Sequence, residues 1–143
     1  MGMSIVEIVP GRVGYVSSSR RGFEVVRLRN LGPGQVRIAY WSLIHMNAKG
    51  RHVHTMRFPP EFEGDETWIL RSRDDVRVFT GIGRESHPLH IRGRQRSYCF
   101  FWGLRSPIWR TGTDFIALRD AIGNVIEDKQ VESVIRKGNR PGP

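Results

Sequence analysis

A lone cysteine, Cys99, is all the thiol this 143-residue chain has, so no intramolecular disulfide can form and a small, bridge-stapled secreted scaffold is excluded. An exported domain without disulfides stays open, but a reducing compartment, the cytoplasm, is the expected one. Long apolar runs are missing too. Nowhere do about 18 consecutive apolar residues occur, the length a membrane-spanning helix needs, so no membrane span is expected. The opening Met1 to Glu7 has neither the basic nor the apolar region of a signal peptide, and Glu7 and Pro10 break the only early apolar run. No export signal is expected there. Sustained helical periodicity is also absent, apart from a short stretch in Val125 to Ile135 where helix is the lesser alternative.

Acidic residues are in short supply, 14 against 23 basic, leaving a formal net charge of +9. Lysine is limited to Lys49, Lys129 and Lys137, so nearly all of that charge is arginine. The planar guanidinium suits bidentate contact with phosphate or carboxylate, and a basic surface attracts polyanions by long-range, salt-sensitive forces. A GC-rich genome also favours arginine codons, so charge alone does not select nucleic acid as the ligand.

What the sequence does have is apolar alternation of period two, broken by turn formers. Ser4 to Val9, Phe23 to Arg29, Val36 to Ile38, Trp41 to Met46, His52 to Phe58, Glu66 to Leu70 and Val76 to Thr80 read as short strands. In the second of these, Phe23 and Val25 share one face and Val26 and Leu28 the other, as a bent or bulged strand would have it. Leu31-Gly32-Pro33-Gly34, Ala48-Lys49-Gly50, Pro59-Pro60 and Glu63-Gly64-Asp65 supply turns. Phe115 to Arg119, the turn Asp120 to Asn124 and Val125 to Glu127 form a hairpin with glycine at a positive-φ position. Strands at this spacing predict an all-β sandwich or barrel. The domain is expected to span residues 1–130, with 131–143 a flexible basic tail.

The segment between Thr80 and Ser97 carries too much glycine and charge for an uninterrupted strand and reads as the longest loop. Within it Arg84, Arg92, Arg94 and Arg96 cluster, and the last three would share one face of an extended chain as a phosphate-tracking ridge. Arg105 and Arg110 flank the segment from Trp102 to Trp109 and would extend that surface. These six arginines are the sequence's candidate binding residues. Trp102 and Trp109 bracket a glycine and a proline, a pattern that pins an irregular segment to a core by aromatic burial. If either ring were exposed, it would offer a stacking surface for bases.

Catalytic and metal chemistry lack their parts. His52 and His54 fall on one face of a strand, but no carboxylate or cysteine at suitable spacing completes a site, and His87 and His90 do no better. Ser17 to Ser19 and Cys99 lack a nucleophile signature, and Cys99 reads as a small packed side chain. Gly81-Ile82-Gly83 lacks the third glycine and following helix of a phosphate cradle. Asp65-Glu66 and Asp74-Asp75 are adjacent pairs, expected on opposite faces of a strand or in solvated turns. No catalytic residue, metal or cofactor is therefore expected, and a small hydrolase or nuclease is the weakest alternative.

Taken together, Trp102-Gly103, Pro107, Trp109, Gly112, Asp114, Leu118, Arg119, Asp120, Gly123 and Val125 resemble the lamin-tail domain family. Three earlier segments fit the same pattern in the same order: Phe23 to Asn30 with Gly32 and Trp41-Ser42-Leu43, then His54 to Pro60, then Val76 to Gly83. The resemblance covers about Ser4 to Asp128. Two departures stand out, Tyr40 where glycine usually precedes Trp41, and Thr113-Asp114, shifted by one from the commonest spacing. The resemblance implies an immunoglobulin-like β-sandwich and a noncatalytic interaction module that binds nucleic acid or an acidic protein surface. A structural subunit of a homo-oligomer or larger assembly is the alternative.

Overall fold

The computed structural model describes residues 3–9, 24–62, 69–82, 86–92, 95–106, 108–110 and 112–131, and for 4–9, 86–92 and 95 the backbone course alone. Among the described residues there are nine strands and no helix: β1 (Met3–Val9), β2 (Val25–Asn30), β3 (Ser42–Met46), β4 (His52–Arg57), β5 (Asp75–Phe79), β6 (Ser86–Arg92), β7 (Gln95–Phe101), β8 (Phe115–Arg119) and β9 (Val125–Gln130). They form a five-stranded sheet, β1-β2-β5-β7-β6, and a four-stranded sheet, β4-β3-β8-β9. The chain is all-β, in an architecture consistent with a β-sandwich. None of its described elements is a helix long and apolar enough to cross a membrane.

Alternation in the sequence dictates which side of each strand is buried. In β2, Val26, Leu28 and Asn30 are buried while Val25, Arg27 and Arg29 are partly exposed, a regular pleat; Phe23, where the predicted irregularity starts, lies outside the described residues. A bulge sits in β1, where the register against β2 shifts between Ile5 and Glu7. Val76 and Val78 of β5 and Tyr98 and Phe100 of β7 join Leu43 of β3 and Ile116 and Leu118 of β8 in one core. Phe58 and Phe62, which follow β4, pack edge-on against Phe100 at ring separations of 5.3 and 5.0 Å. Such offset aromatic pairs add to the stabilisation from area burial.

Loops are tied down by side chains as well as by packing. Asn30 is fully buried, donates from Nδ2 to the carbonyls of Gly34 and Leu70, and accepts the Gly32 N–H. Val36 and Leu70 meet in an isolated bridge closed by a pair of hydrogen bonds; of the strand expected over 66–70, residues 66–68 lie outside the described residues. Asp74 and Asp75 are both buried, not solvated. Asp74 accepts the Arg71 and Arg96 N–H groups, and Asp75 takes an ion pair from Arg27 Nε at 3.1 Å.

The segment read as the longest loop is mostly strand. β6 pairs antiparallel with β7, with Ile91 opposite Arg96 and Arg92 opposite Gln95. Proline is tolerated because β6 is the edge of its sheet, and its register shifts between Ser86 and His90, the stretch holding Pro88. Edge strands and bulges are where a residue without a ladder N–H fits. From β5 the chain reaches this edge and returns as β7 between the two, which makes β5 and β7 parallel neighbours.

At the other end of the chain, β8, the turn and β9 form the predicted hairpin. Gly123 has φ +96°, and Asp120 Oδ1 accepts the N–H groups of Ile122 and Asn124. The stretch where helix was the lesser alternative is strand through Gln130. Val131 is buried and exchanges backbone hydrogen bonds with Gly112 and Asp114, so the packed chain reaches one residue past the predicted boundary. Residues 132–143, the expected tail, lie outside the described residues.

Candidate functional site

Strand register places two histidines side by side. His45 of β3 lies directly opposite His54 of β4, on the face that Leu43 and Met56 turn to the core. Residues directly opposite in an antiparallel pair share a face at close range. The imidazole rings are nearly coplanar, 5° apart, with the two Nδ1 atoms 3.0 Å apart. On its other side His45 donates Nε2–H to Asp114 Oδ2 at 2.7 Å. Asp114 sits immediately before β8, held there because the Arg110 N–H also bonds its Oδ2 and its own N–H reaches the Arg110 carbonyl. Gly112, at φ +77°, supplies the left-handed turn this approach requires.

Aromatic rings wall the pair. Trp109 is edge-on to His45 at 4.6 Å, Trp102 is edge-on to His54 at 6.3 Å, and the two indoles meet at 6.0 Å. Trp109 is buried and Trp102 half-buried, as the Gly/Pro-bracketed pattern predicts. Their segment is fastened to the five-stranded sheet by Glu24, whose carboxylate accepts the N–H groups of Ile108 and Trp109 and the Thr80 hydroxyl. Burial raises the Glu24 pKa above its ordinary 4.5, opposed by those hydrogen bonds.

The Asp114, His45 and His54 chain lines an open cleft of about 640 Å³ whose walls also carry Lys49, Arg51 and Arg110. All three cations are exposed. Among the described lining residues Asp114 is the only carboxylate, and it is already engaged by His45 and the Arg110 backbone. The cleft therefore presents net positive charge to solvent beside a hydrogen-bonded pair of imidazoles. Among the described residues no group of three or more His, Cys, Asp or Glu is placed to hold a metal ion. His52, the expected neighbour of His54, is exposed and faces Met46 in the register.

Of the six predicted arginines, Arg96, Arg105 and Arg110 have described side chains. Arg110 lines the cleft and Arg105 is exposed on the same β7–β8 connection. Arg96 is fixed at the opposite end of β7 by its backbone bond to Asp74, about 20 Å from Trp102 at the ordinary strand rise. Arg92 belongs to β6 and Arg96 to β7, the two arms of a hairpin, so these two do not lie along one extended strand. Arg84 and Arg94 lie outside the described residues, as does the side chain of Arg92.

Sequence reasoning missed Lys49, Arg51, His45 and Asp114. The signal for His45 was its apolar-strand setting, and for Asp114 its place in the family pattern, but neither signal says that the two meet. A second basic cluster was missed as well: Arg27, Arg77 and Arg29 approach Asp75 Oδ2 at 3.1, 3.7 and 4.0 Å on the outer side of the five-stranded sheet. One buried carboxylate there holds three guanidinium groups together.

Burial, and secondarily the neighbouring His45, lower the His54 pKa from its ordinary 6.5. The unfolded chain therefore takes up this proton more readily than the folded one, and His54's contribution to stability, complete above 6.5, is lost as pH falls below it. His54→Gln is expected to lose less stability than wild type between about pH 7.5 and 5.5, measured by denaturant midpoints. An equal loss in both proteins would contradict the depressed value.

No family model and no curated protein matches this chain.

Proposed function

We propose that this chain is a noncatalytic binding module, an immunoglobulin-like sandwich of the lamin-tail type, that captures a polyanion, nucleic acid foremost, through a basic surface centred on the cleft. The observation that carries the reading is the convergence of Lys49, Arg51 and Arg110 on an open cleft whose one carboxylate is already bonded. Cations left without a carboxylate are what a phosphate backbone neutralises, with release of its counterions. Arg105 extends the surface along the same connection.

Support for the lamin-tail type comes from the residues that carried the resemblance. Tyr40 stands where the pattern has glycine, and its φ is +69°, in the left-handed region that glycine adopts most readily. Asn30, Gly112, Asp114, Trp109 and Gly123 each hold a turn or a core position that the pattern needs. A second reading, a subunit of a homo-oligomer, rests on β4, the edge of the four-stranded sheet, where Val53 is exposed. Open edges invite pairing with another chain.

Titration of a short DNA duplex with the full chain separates these readings. Measurable affinity at about 50 mM salt, falling at least tenfold by about 200 mM, is the expected result. The triple variant Lys49→Ala, Arg51→Ala, Arg110→Ala is expected to lose most of that affinity and to flatten the salt slope by about two to three, roughly one for each cation removed from a phosphate. Absence of binding at low salt, with a dimer by light scattering, would favour the oligomer.

A further inference from the structure

The two Nδ1 atoms of His45 and His54 leave room for one proton between them, and the consequences of that geometry reach the ligand. His45 Nε2–H is committed to Asp114, so in the neutral pair His45 Nδ1 is a lone pair and accepts Nδ1–H from His54. His54 Nε2 is then the remaining basic nitrogen of the chain. A proton added there makes the pair cationic without breaking either hydrogen bond. A second one cannot be added without forcing two N–H groups against each other at 3.0 Å. The pair takes up one proton and no more.

We propose that the cleft is a phosphate-group site that binds its ligand together with one proton, carried by the His45 and His54 pair, so that affinity rises as pH falls. This rests on the polyanion reading given above and adds its regulation. The charged and titratable groups around the pair are few. Asp114, before β8, anchors His45, and Glu24, before β2, lies behind it close enough for the two carboxylates to repel. Lys49 and Arg51 come from the β3–β4 connection and Arg110 from the β7–β8 connection. His52, two residues along β4, is exposed.

In the free protein burial, and after it the neighbouring His45, oppose protonation of His54. A phosphate seated in the cleft brings negative charge to the pair and accepts a hydrogen bond from His54 Nε2–H. By linkage, whatever raises the proton affinity of the pair on ligand binding raises ligand affinity on protonation by the same factor. With one proton involved, the limiting slope is about tenfold in affinity per pH unit. A phosphodiester does not titrate in this range, so the slope belongs to the protein.

The test measures binding of a short DNA duplex and, in a separate arm, of dimethyl phosphate, at fixed salt between about pH 5.5 and 8. Wild type is expected to bind the duplex with affinity rising toward acid at up to about tenfold per pH unit. Calorimetry in two buffers of different ionisation enthalpy should show uptake of up to one proton per site. His54→Gln is expected to bind with little pH dependence and little proton uptake while keeping the salt slope set by Lys49, Arg51 and Arg110. The same behaviour with dimethyl phosphate would show that a single phosphate group suffices, and its absence there alone would mean the site reads the nucleic-acid backbone. Duplex binding with no slope and no proton uptake in wild type overturns this proposal and leaves the polyanion reading standing. A slope unchanged in His54→Gln also overturns it. Failure of both ligands to bind at every pH overturns the two together.

Discussion

Trp109→Ala is expected to lower the unfolding free energy by about 3 to 5 kcal/mol, the cost of deleting a large buried aromatic ring from a site that relaxes only partly. The ring is 6% exposed, belongs to the core that Leu118 and Phe100 share, and stands edge-on to both His45 and Trp102. Its loss removes the wall that holds His45 against Asp114, so ligand affinity should fall together with stability. Trp109→Phe keeps much of the apolar contact and should retain more than half of the stability. Because the indole Nε1 is buried with no hydrogen-bond partner among the described residues, phenylalanine gives up no polar interaction there. Chemical denaturation of the two variants beside wild type measures this directly. A fully stable alanine variant would show that the ring does not hold the core.

Fold class was legible because alternation and turn chemistry are local. The β8–β9 hairpin is written in Phe115 to Arg119, an Asx-type turn and a glycine, all within a dozen or so positions, and it is found where those residues predict it. The β6–β7 hairpin was hidden because Pro88 opposes strand propensity, and only its place at a sheet edge makes it acceptable. That placement is a tertiary fact. The site was hidden for a related reason. His45 and His54 are nine residues apart and meet through hairpin register, while Asp114 is 69 residues from His45 and meets it only through the long-range pairing of β3 with β8. Buried polar residues such as Glu24, Asp74 and Asp75 were equally opaque, since local sequence does not say that backbone N–H groups of the β7–β8 connection or arginines of the neighbouring strand β2 will satisfy them.

Glu24 carries the other large expected effect. Its carboxylate is 2% exposed and accepts the Ile108 N–H at 2.8 Å on Oε1 and the Trp109 N–H at 3.2 Å on Oε2. Its own N–H donates to Thr80 Oγ1 at 3.2 Å, and Thr80 N–H returns a bond to its carbonyl. Glu24→Ala leaves two backbone donors without an acceptor in a place water reaches poorly, at about 1 to 3 kcal/mol each, so a total loss of about 3 to 5 kcal/mol is expected. Glu24→Gln should cost less at neutral pH, since one carbonyl oxygen still accepts, although its amide turns a donor toward the second N–H. The two proteins should then diverge with pH. Burial raises the folded-state pKa of Glu24 above 4.5, so the stability linked to its proton is fully present below 4.5 and is lost as pH rises through the raised value. Wild type should therefore gain on Glu24→Gln as pH is lowered toward about 4.5, read as a widening gap in denaturant midpoint. A constant gap would mean that the carboxylate does not titrate differently in the fold. Because the same bonds hold the segment that carries Trp102, Trp109 and Arg110, Glu24→Ala should also weaken duplex binding at temperatures where the variant is still folded. Unchanged binding in a destabilised protein would separate the anchoring of that segment from the positioning of the cleft.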